Sequence, residues 1–339
     1  PVWAIIRRPV CFDHAGFSIM RATARAQPNI ALIKYWGKRD SDRNLPAVGS
    51  ISLTLDELYT TMDVELDGAP DRDELYVNGR SAQSMLPRVT RCLDTVLDAD
   101  RLRARVTSES NFPIAAGLAS SASSFAALVV AASAVGGRER SVNELAGLAG
   151  RASGSAARSL YGGFVELRND GDGIAVSTIL EGEAWPLRIV AAVTSRAPKP
   201  VSSGDAMELS RRSSPFYSRW IEEQDTDLAT AREAIAVRDF GKLASVAEHN
   251  CLKMHSVMWA SRPPVVYWNA ATLASLESVR ALQAEGVAAF FTIDAGPQVK
   301  VICLPDDEPR VVDALSSTAG VESVLVSGIG SGAALVNRD

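Results

Sequence analysis

"NFPIAAGLASSASSFAALVVAAS", Asn111 to Ser133, is the stretch on which the reading of the whole chain turns. A proline, then Gly117, then the adjacent serines Ser120 and Ser121 lead into small apolar residues that run on to Val135. Such a run suits a helix packed on nearly every side. Small residues ahead of it let two backbones approach closely. A loop of free N–H groups feeding a helix N-terminus also binds anions. From this stretch alone, packing and phosphate binding both stand. It is not a P-loop, because no lysine follows the glycine.

Composition sets the frame. A chain of 339 residues is long for one core, which favours two domains. Apolar content of 47% with 22% charged residues describes a globular chain. A net charge of −5 without long basic blocks argues against nucleic acid as a partner. The longest apolar run, Phe125 to Val135, is too short to span a bilayer, so no membrane association is expected. Cys11, Cys92, Cys251 and Cys303 are scattered without a C-x-x-C pair, which points to buried thiols in a reducing compartment, the cytoplasm, rather than a structural zinc. His249 and His255 are six apart, off the spacing that sets two ligands on one helix face. The opening "PVWAIIRRPVCFDHAGFSI" carries Arg7 and Arg8 inside its apolar part and no small-residue cleavage site, so it does not read as a signal peptide. Residues 1–19 are expected to be an upstream extension, with an extra strand as the alternative, and the domain to begin at Met20.

Strand-like runs follow at 30–36, 51–55 and 62–66, and Asn78-Gly79 signals a hairpin because a type I′ turn needs positive φ at both central residues. Met85, Leu86, Val89, Leu93, Val96 and Leu97 repeat at helical spacing, and Ser141 with Glu144 forms a capping-box signature. Residues 189–194 read as a buried strand, and "SRAPKPVSSGDA" after it as a loop. Amphipathic helices are expected over roughly 205–254 and 270–286, strands at 288–293 and 299–304, a helix near 309–318 and a strand at 322–327. The result is a mixed α+β protein of two lobes, 20–190 and 191–339, with a cleft between them.

Four places combine polar groups with special backbone. "NIALIKYWGKRD" sets Lys34 and Lys38 around Tyr35, Trp36 and Gly37, either a solvated rim or a set of cationic and hydroxyl donors. The Gly/Ser stretch is joined by Ser108, a further phosphate donor. "SGSAARSLYGG" places Ser153, Ser155 and Arg158 so that, on a helix start, all three could face one anion; a capped helix with a surface arginine is the alternative. Asp294 in "FFTIDAGPQVKVIC" ends an apolar strand before a sharp turn, as a partly desolvated base or as an Asx-turn residue. Together they supply the groups needed for ATP-dependent chemistry on a phosphorylated acid.

Pro113 to Ala122 matches the P-x-x-x-G-L-x-S-S-A phosphate loop of the GHMP small-molecule kinase superfamily. Within it, "PNIALIKYWGKRD", "NLPAVGSISLTL", "NFPIAAGLASSAS", "SGSAARSLYGGF", "KPVSSGDAM", "PPVVYWN" and "DAGPQVKV" resemble, in order, the mevalonate diphosphate decarboxylase family from about Met20 onward. The resemblance implies a two-lobed GHMP kinase fold, with an N-terminal lobe like domain 2 of ribosomal protein S5, a C-terminal ferredoxin-like lobe and the active site between them. It implies ATP and Mg²⁺, a homodimer, and phosphorylation of the 3-hydroxyl of mevalonate 5-diphosphate followed by loss of phosphate and CO₂; a mevalonate 5-phosphate decarboxylase or mevalonate 3-kinase of the same fold is the alternative, and a non-catalytic ligand sensor a remote one. By the same resemblance Asp294, Arg158 and Lys34 carry the chemistry, and Tyr35, Lys38, Ser153, Ser155 and Arg158 hold the substrate. Ser108, Gly117, Leu118, Ala119, Ser120 and Ser121 cradle the ATP phosphates, while Ser203 and Met207 lie on a mobile segment beside the nucleotide. The metal ligands are not implied. Ala157 stands where the family often has cysteine and Ala206 where it often has glycine, and no lysine occurs near Met85.

Overall fold

The computed structural model describes residues 11–12, 18–67, 71–112, 120–197 and 199–336. Among these residues the chain forms three main sheets with helices between and outside them. In the first sheet the strands run in the order Cys11–Phe12, Ser18–Ala26, Thr60–Asp67, Arg103–Ser110, Glu74–Val77 and Arg80–Ser81. Ala334–Leu335, near the end of the chain, returns to pair with Ser18–Ala26. The Asn78-Gly79 turn joins the last two strands with φ of 47° and 74°, the geometry the sequence called for.

Helices α1 (Leu86–Leu97), α2 (Ser120–Val135) and α3 (Val142–Ala152) cover one face of that sheet. α2 is buried over most of its surface because it lies between the first sheet and the second. α3 starts at the Ser141–Glu144 capping box, which satisfies two backbone N–H groups at once. The second sheet orders Gly173–Leu180, Phe164–Asp170, Ser50–Thr54 and Asn29–Ile33.

The later helices are α4 (Ser203–Ser213), α5 (Tyr217–Val237), α6 (Phe240–Trp259), α7 (Ala270–Ala284) and α8 (Glu308–Ser316). The span read as helical from 205 to 254 is therefore three helices, broken at Ser214–Phe216 and at Arg238, which takes the left-handed conformation. The third sheet orders Ala289–Ile293, Val299–Cys303, Arg188–Val193 and Ser323–Ser327. Its two faces follow the two-residue period of a strand. Val299, Val301 and Cys303 face α7 and α8, whereas Ile302 and Phe290 join α5, α6 and the second sheet in a shared core. Two strands cross the divisions expected from sequence, Ser18–Ala26 at 19/20 and Arg188–Val193 at 190/191. Each is one continuous strand because its pairing partners lie wholly in one sheet.

Candidate active site

The strands Asn29–Ile33 and Ala289–Ile293, one from each neighbouring sheet, end side by side, and the first residue after each is charged. Lys34 Nζ lies 2.6 Å from Asp294 Oδ1, and Lys300 Nζ lies 3.2 Å from Asp294 Oδ2. Thr292 Oγ1 donates to Ala31 O at 3.1 Å, which ties the two strands together shortly before the charges. Both lysines are fully buried and so is Asp294 Oδ2, but the Asp294 side chain as a whole is 24% exposed, so it is the member of the three that opens to the crevice. Burial alone would raise the Asp294 carboxyl pKa. The two ammonium groups outweigh burial and hold it well below the ordinary range. Burial lowers Lys300, with Asp294 opposing the shift.

Arg158 is 2% exposed, yet among the described residues no carboxylate is bonded to it. Its guanidinium donates to Ser52 Oγ at 2.9 Å, Ser50 Oγ at 2.5 Å and Asn29 Oδ1 at 3.1 Å. Burial pulls its pKa down to about 10, opposed mainly by the charge of Asp294. The sequence suggested that Ser153, Ser155 and Arg158 start a helix. Instead Ser153 caps the C-terminal end of α3, and Arg158 opens a short 3₁₀ turn. The reversal coincides with a tertiary contact at Gly154, where an added Cβ would lie 2.7 Å from the Tyr35 ring. The chain turns there so that Tyr35 can pack on bare backbone, and Ser153 and Ser155 end with their hydroxyls 3.5 Å apart. The Tyr35 hydroxyl is buried without a hydrogen-bond partner among the described residues, and burial pushes its pKa up to about 12. A buried orphan donor beside an arginine that has only neutral partners marks a place for an oxygen-rich ligand.

Lys38 lies in the strand Lys38–Asp40, with its ammonium 4.0 Å from where a Cβ on Gly204 would stand, near the N-terminus of α4. Ser203, the first residue of α4, accepts from Lys199 Nζ at 2.8 Å. Met207 is buried with Trp36, Val48 and Trp220, so it is a packing residue in this state. Ser108 is buried in the strand Arg103–Ser110, and Ser120 and Ser121 open α2. The helix start is anchored by a hydroxyl chain in which Thr60 Oγ1 meets Ser110 Oγ at 2.9 Å and Ser123 Oγ at 2.8 Å. Gly117, Leu118 and Ala119 lie outside the described residues.

Several residues of the site escaped the sequence reading. Lys300 sits in the apolar strand "VKVIC" on the face shared with Ile302, and a lysine on an apolar strand face is a signal available from sequence. Lys199 is half-buried, and burial together with the charge of Lys300 lowers its pKa, with Asp294 opposing. Asn250 accepts from Lys34 N at 2.7 Å, and Gln224 Nε2 donates to Lys34 O at 2.7 Å, so α5 and α6 grip the Lys34 backbone from both sides.

Four cations, Lys34, Lys300, Lys199 and Arg158, thus act on one accessible carboxylate in a crevice between two α+β lobes. That arrangement suits a small-molecule kinase-type enzyme, in which excess positive charge receives phosphates and one carboxylate receives a hydroxyl. The comparisons narrow the class. The model of the diphosphomevalonate decarboxylase-like N-terminal domain matches residues 26–178, and that of the mevalonate 5-diphosphate decarboxylase C-terminal domain matches 189–329. The chain is 33% identical to the diphosphomevalonate decarboxylase of Candida albicans, over 92% of this chain and 96% of that protein. The mevalonate diphosphate decarboxylase of Staphylococcus aureus superposes with a TM-score of 0.88 at 33% identity, covering 94% of this chain and 98% of that one. A structure of MDDEF in complex with MVAPP, AMPPCP and magnesium gives 0.88 at 33% identity, covering 95% and 100%. This chain belongs to the mevalonate diphosphate decarboxylase family.

Proposed function

We propose that the protein catalyses ATP-dependent decarboxylation of mevalonate 5-diphosphate to isopentenyl diphosphate, releasing ADP, phosphate and CO₂. The observation that carries this reading is the excess of buried cations around the Asp294 carboxylate among the described residues, within a chain of this family. A tertiary alcohol is a poor nucleophile and hydroxide a poor leaving group. ATP with Mg²⁺ supplies the phosphoryl group that turns the 3-oxygen into a leaving group. Among the described residues there is no group of three His, Cys, Asp or Glu side chains able to hold a metal.

Asp294 stays ionised throughout the working pH range, so it accepts a hydrogen bond from the 3-hydroxyl and aims its oxygen for attack. A carboxylate held this far down is a weak base, and its main contribution is orientation. Lys34, beside it, would offset charge as the 3-oxygen bonds to the γ-phosphorus, the γ-phosphorus–oxygen bond to ADP breaks with its electron pair leaving on ADP, and the hydroxyl proton passes to an oxygen of the transferred phosphoryl group. Arg158 and the Tyr35 hydroxyl receive the substrate's anionic groups, with Ser153, Ser155 and Lys38 around its diphosphate. In the second step the C3–O bond breaks with its electron pair leaving on phosphate. The C1–C2 pair then becomes the C2=C3 bond as CO₂ departs. Ser108, Ser120, Ser121 and the Gly117–Ala119 loop would cradle the nucleotide phosphates at the α2 N-terminus, with Ser203 and Met207 beside them.

We also propose that the lobes divide between Leu180 and Arg188, supported by the pairing of Arg188–Val193 with the third sheet. Homodimer formation and a cytoplasmic location complete the reading. Exposed Phe216, Trp259, Val266 and Leu273 offer apolar surface for a second copy, and the buried free thiols of Cys92, Cys251 and Cys303 suit a reducing compartment. Release of ADP and CO₂ measured side by side with mevalonate 5-diphosphate, mevalonate 5-phosphate and mevalonate tests the assignment. Both products formed together, with the diphosphate preferred by orders of magnitude in kcat/KM, are expected. A preference for the monophosphate, or ADP without CO₂, would overturn it.

A further inference from the structure

Ala289–Ile293, the strand that carries Asp294 at its end, is an edge strand of the third sheet, so half of its backbone groups have no strand partner. Helix α6 runs along that edge and supplies partners from one face. Phe291 N donates to Glu248 Oε1 at 3.1 Å, Ile293 N to Cys251 Sγ at 3.2 Å, and His255 Nε2 lies 3.1 Å from Ile293 O. Residues 248, 251 and 255 are spaced by three and four, the interval that stacks side chains on one side of a helix. On the neighbouring side of α6, Asn250 holds the Lys34 backbone. One helix therefore fixes the backbone at both members of the Lys34–Asp294 pair.

Of these bonds, those to Ile293 O bear most directly on Asp294. The Ile293 carbonyl and the Asp294 N–H belong to one planar peptide unit, so fixing the oxygen fixes the plane from which the Asp294 side chain departs. Cys251 Sγ also approaches this oxygen, at 3.5 Å, but a thiol is a weak donor. His255 Nε2 also lies 3.3 Å from Trp268 Nε1, and one nitrogen cannot donate to a carbonyl and accept from an indole at once. A carbonyl can only accept, so the imidazole proton resides on Nε2, and Trp268 serves as a wall with ring centroids 4.9 Å apart. Burial, aided by the charges of Lys34 and Lys300 and opposed by Asp294, keeps His255 neutral, with its pKa at about 3.

We propose that His255 is a positioning residue for the reaction, orienting the Ile293–Asp294 peptide through an Nε2–H bond to the Ile293 carbonyl and thereby aiming the Asp294 carboxylate. It rests on the function proposed above. His255→Leu keeps apolar bulk and removes the donor. His255→Gln places an amide N–H at similar reach, whereas the amide of His255→Asn falls short. In the full-length protein, His255→Leu and His255→Asn should lower kcat about 100-fold, the scale of a misplacement of roughly 1 Å. KM for mevalonate 5-diphosphate should stay within about threefold, and His255→Gln should recover most of the loss. Where His255→Leu does not fold, the Gln and Asn pair decides alone. Equal losses in Gln and Asn, or wild-type kcat in Asn, would overturn the proposal. A readout independent of turnover separates this proposal from the reading beneath it. The ¹³C shift of the Asp294 carboxyl, recorded without ligands, should move in His255→Asn and stay near wild type in His255→Gln. If that pattern holds while the wild type fails to turn over mevalonate 5-diphosphate, the assigned reaction is wrong and the positioning role stands. If the shift stays put in both variants, the positioning role is lost.

Discussion

Two arginines in this molecule keep their side chains from water and are treated in opposite ways. The Arg101 side chain is 2% exposed, and Arg158 is 2% exposed as a whole residue. Arg101 meets Asp73 through a two-pronged contact of 2.8 and 2.6 Å and Asp94 at 2.9 Å. Burial pulls its pKa down, but the bonds to Asp73 and the nearby carboxylates leave it raised, and Asp73 is lowered in turn. Arg158 has only two serines and an asparagine, and its pKa falls. A buried guanidinium without a counter-ion costs the apo protein free energy. In the function proposed above that cost would be recovered when an anionic substrate arrives, which would make one arginine part of the scaffold and the other part of the site.

The largest expected effect lies on Asp294, the carboxylate whose charge acts most on Arg158 among the described residues. Asp294→Asn should lower kcat by at least about 10³-fold while leaving binding of a nonhydrolysable ATP analogue within a few-fold, checked by steady-state turnover and by fluorescence titration. Turnover near wild type would show that the cation cluster serves some purpose other than this reaction. Next is Arg158→Lys, which keeps the charge and loses the three-way fork to Ser50, Ser52 and Asn29. It should lower kcat/KM about 10²-fold with little change in melting temperature. An unchanged kcat/KM would place Arg158 with Arg101 among the scaffold charges. On the scaffold side, Asp73→Asn should cost about 3 kcal/mol in urea unfolding because it breaks a buried pair. It should leave kcat/KM within twofold. A loss of turnover larger than the loss of stability would erase the distinction between the two regions.

How much of this was legible depended on how local the cause was. The hairpin at Asn78-Gly79, the capping box at Ser141 and the buried α2 are each specified by a few adjacent residues, and all appear where the pattern set them. The end of an apolar strand at Asp294 was legible from four adjacent residues, but whether its carboxylate is a base or an Asx-turn residue was not, and only the family resemblance singled it out. Its two partners differ. Lys34 shared a motif with Tyr35 and Lys38, whereas Lys300 reaches Asp294 through a hairpin register that pairs it with Thr292. Register between strands is set by tertiary packing on both faces, and the sequence around Lys300 carries only half of that information. The helix start expected at Ser153 became a helix end because Tyr35, more than a hundred residues earlier, packs on Gly154. The contacts of Asn250, Cys251 and His255 were invisible for the same reason. Each reads as one polar or small residue in an amphipathic helix until the edge strand is laid beside it.

His255 adds a third solution to the burial of a titratable group, and it yields the smallest of these effects. Arg101 is paired and Arg158 waits charged, but His255 stays neutral, with its pKa depressed from 6.5 to about 3, chiefly by burial. In the unfolded chain the same imidazole takes up a proton near its ordinary pKa of about 6.5. Between these two values the unfolded state binds more protons than the folded one, so unfolding free energy must rise with pH across that window. The contribution is complete above about pH 6.5 and is lost as pH falls toward 3, with a limiting slope of about 1.4 kcal/mol per pH unit. Ordinary carboxylates titrate near 4, so the lowered Asp294 adds its own loss only at the acid end, and the interval from pH 7 to 5 isolates the histidine. His255→Gln cannot titrate. Urea midpoints of wild type and His255→Gln at pH 7, 6 and 5 should therefore converge as pH falls, by about 1 kcal/mol between pH 6 and 5. Parallel lines would mean that the folded protein accommodates the imidazolium, which would place His255 with the charged residues of the crevice rather than with its frame.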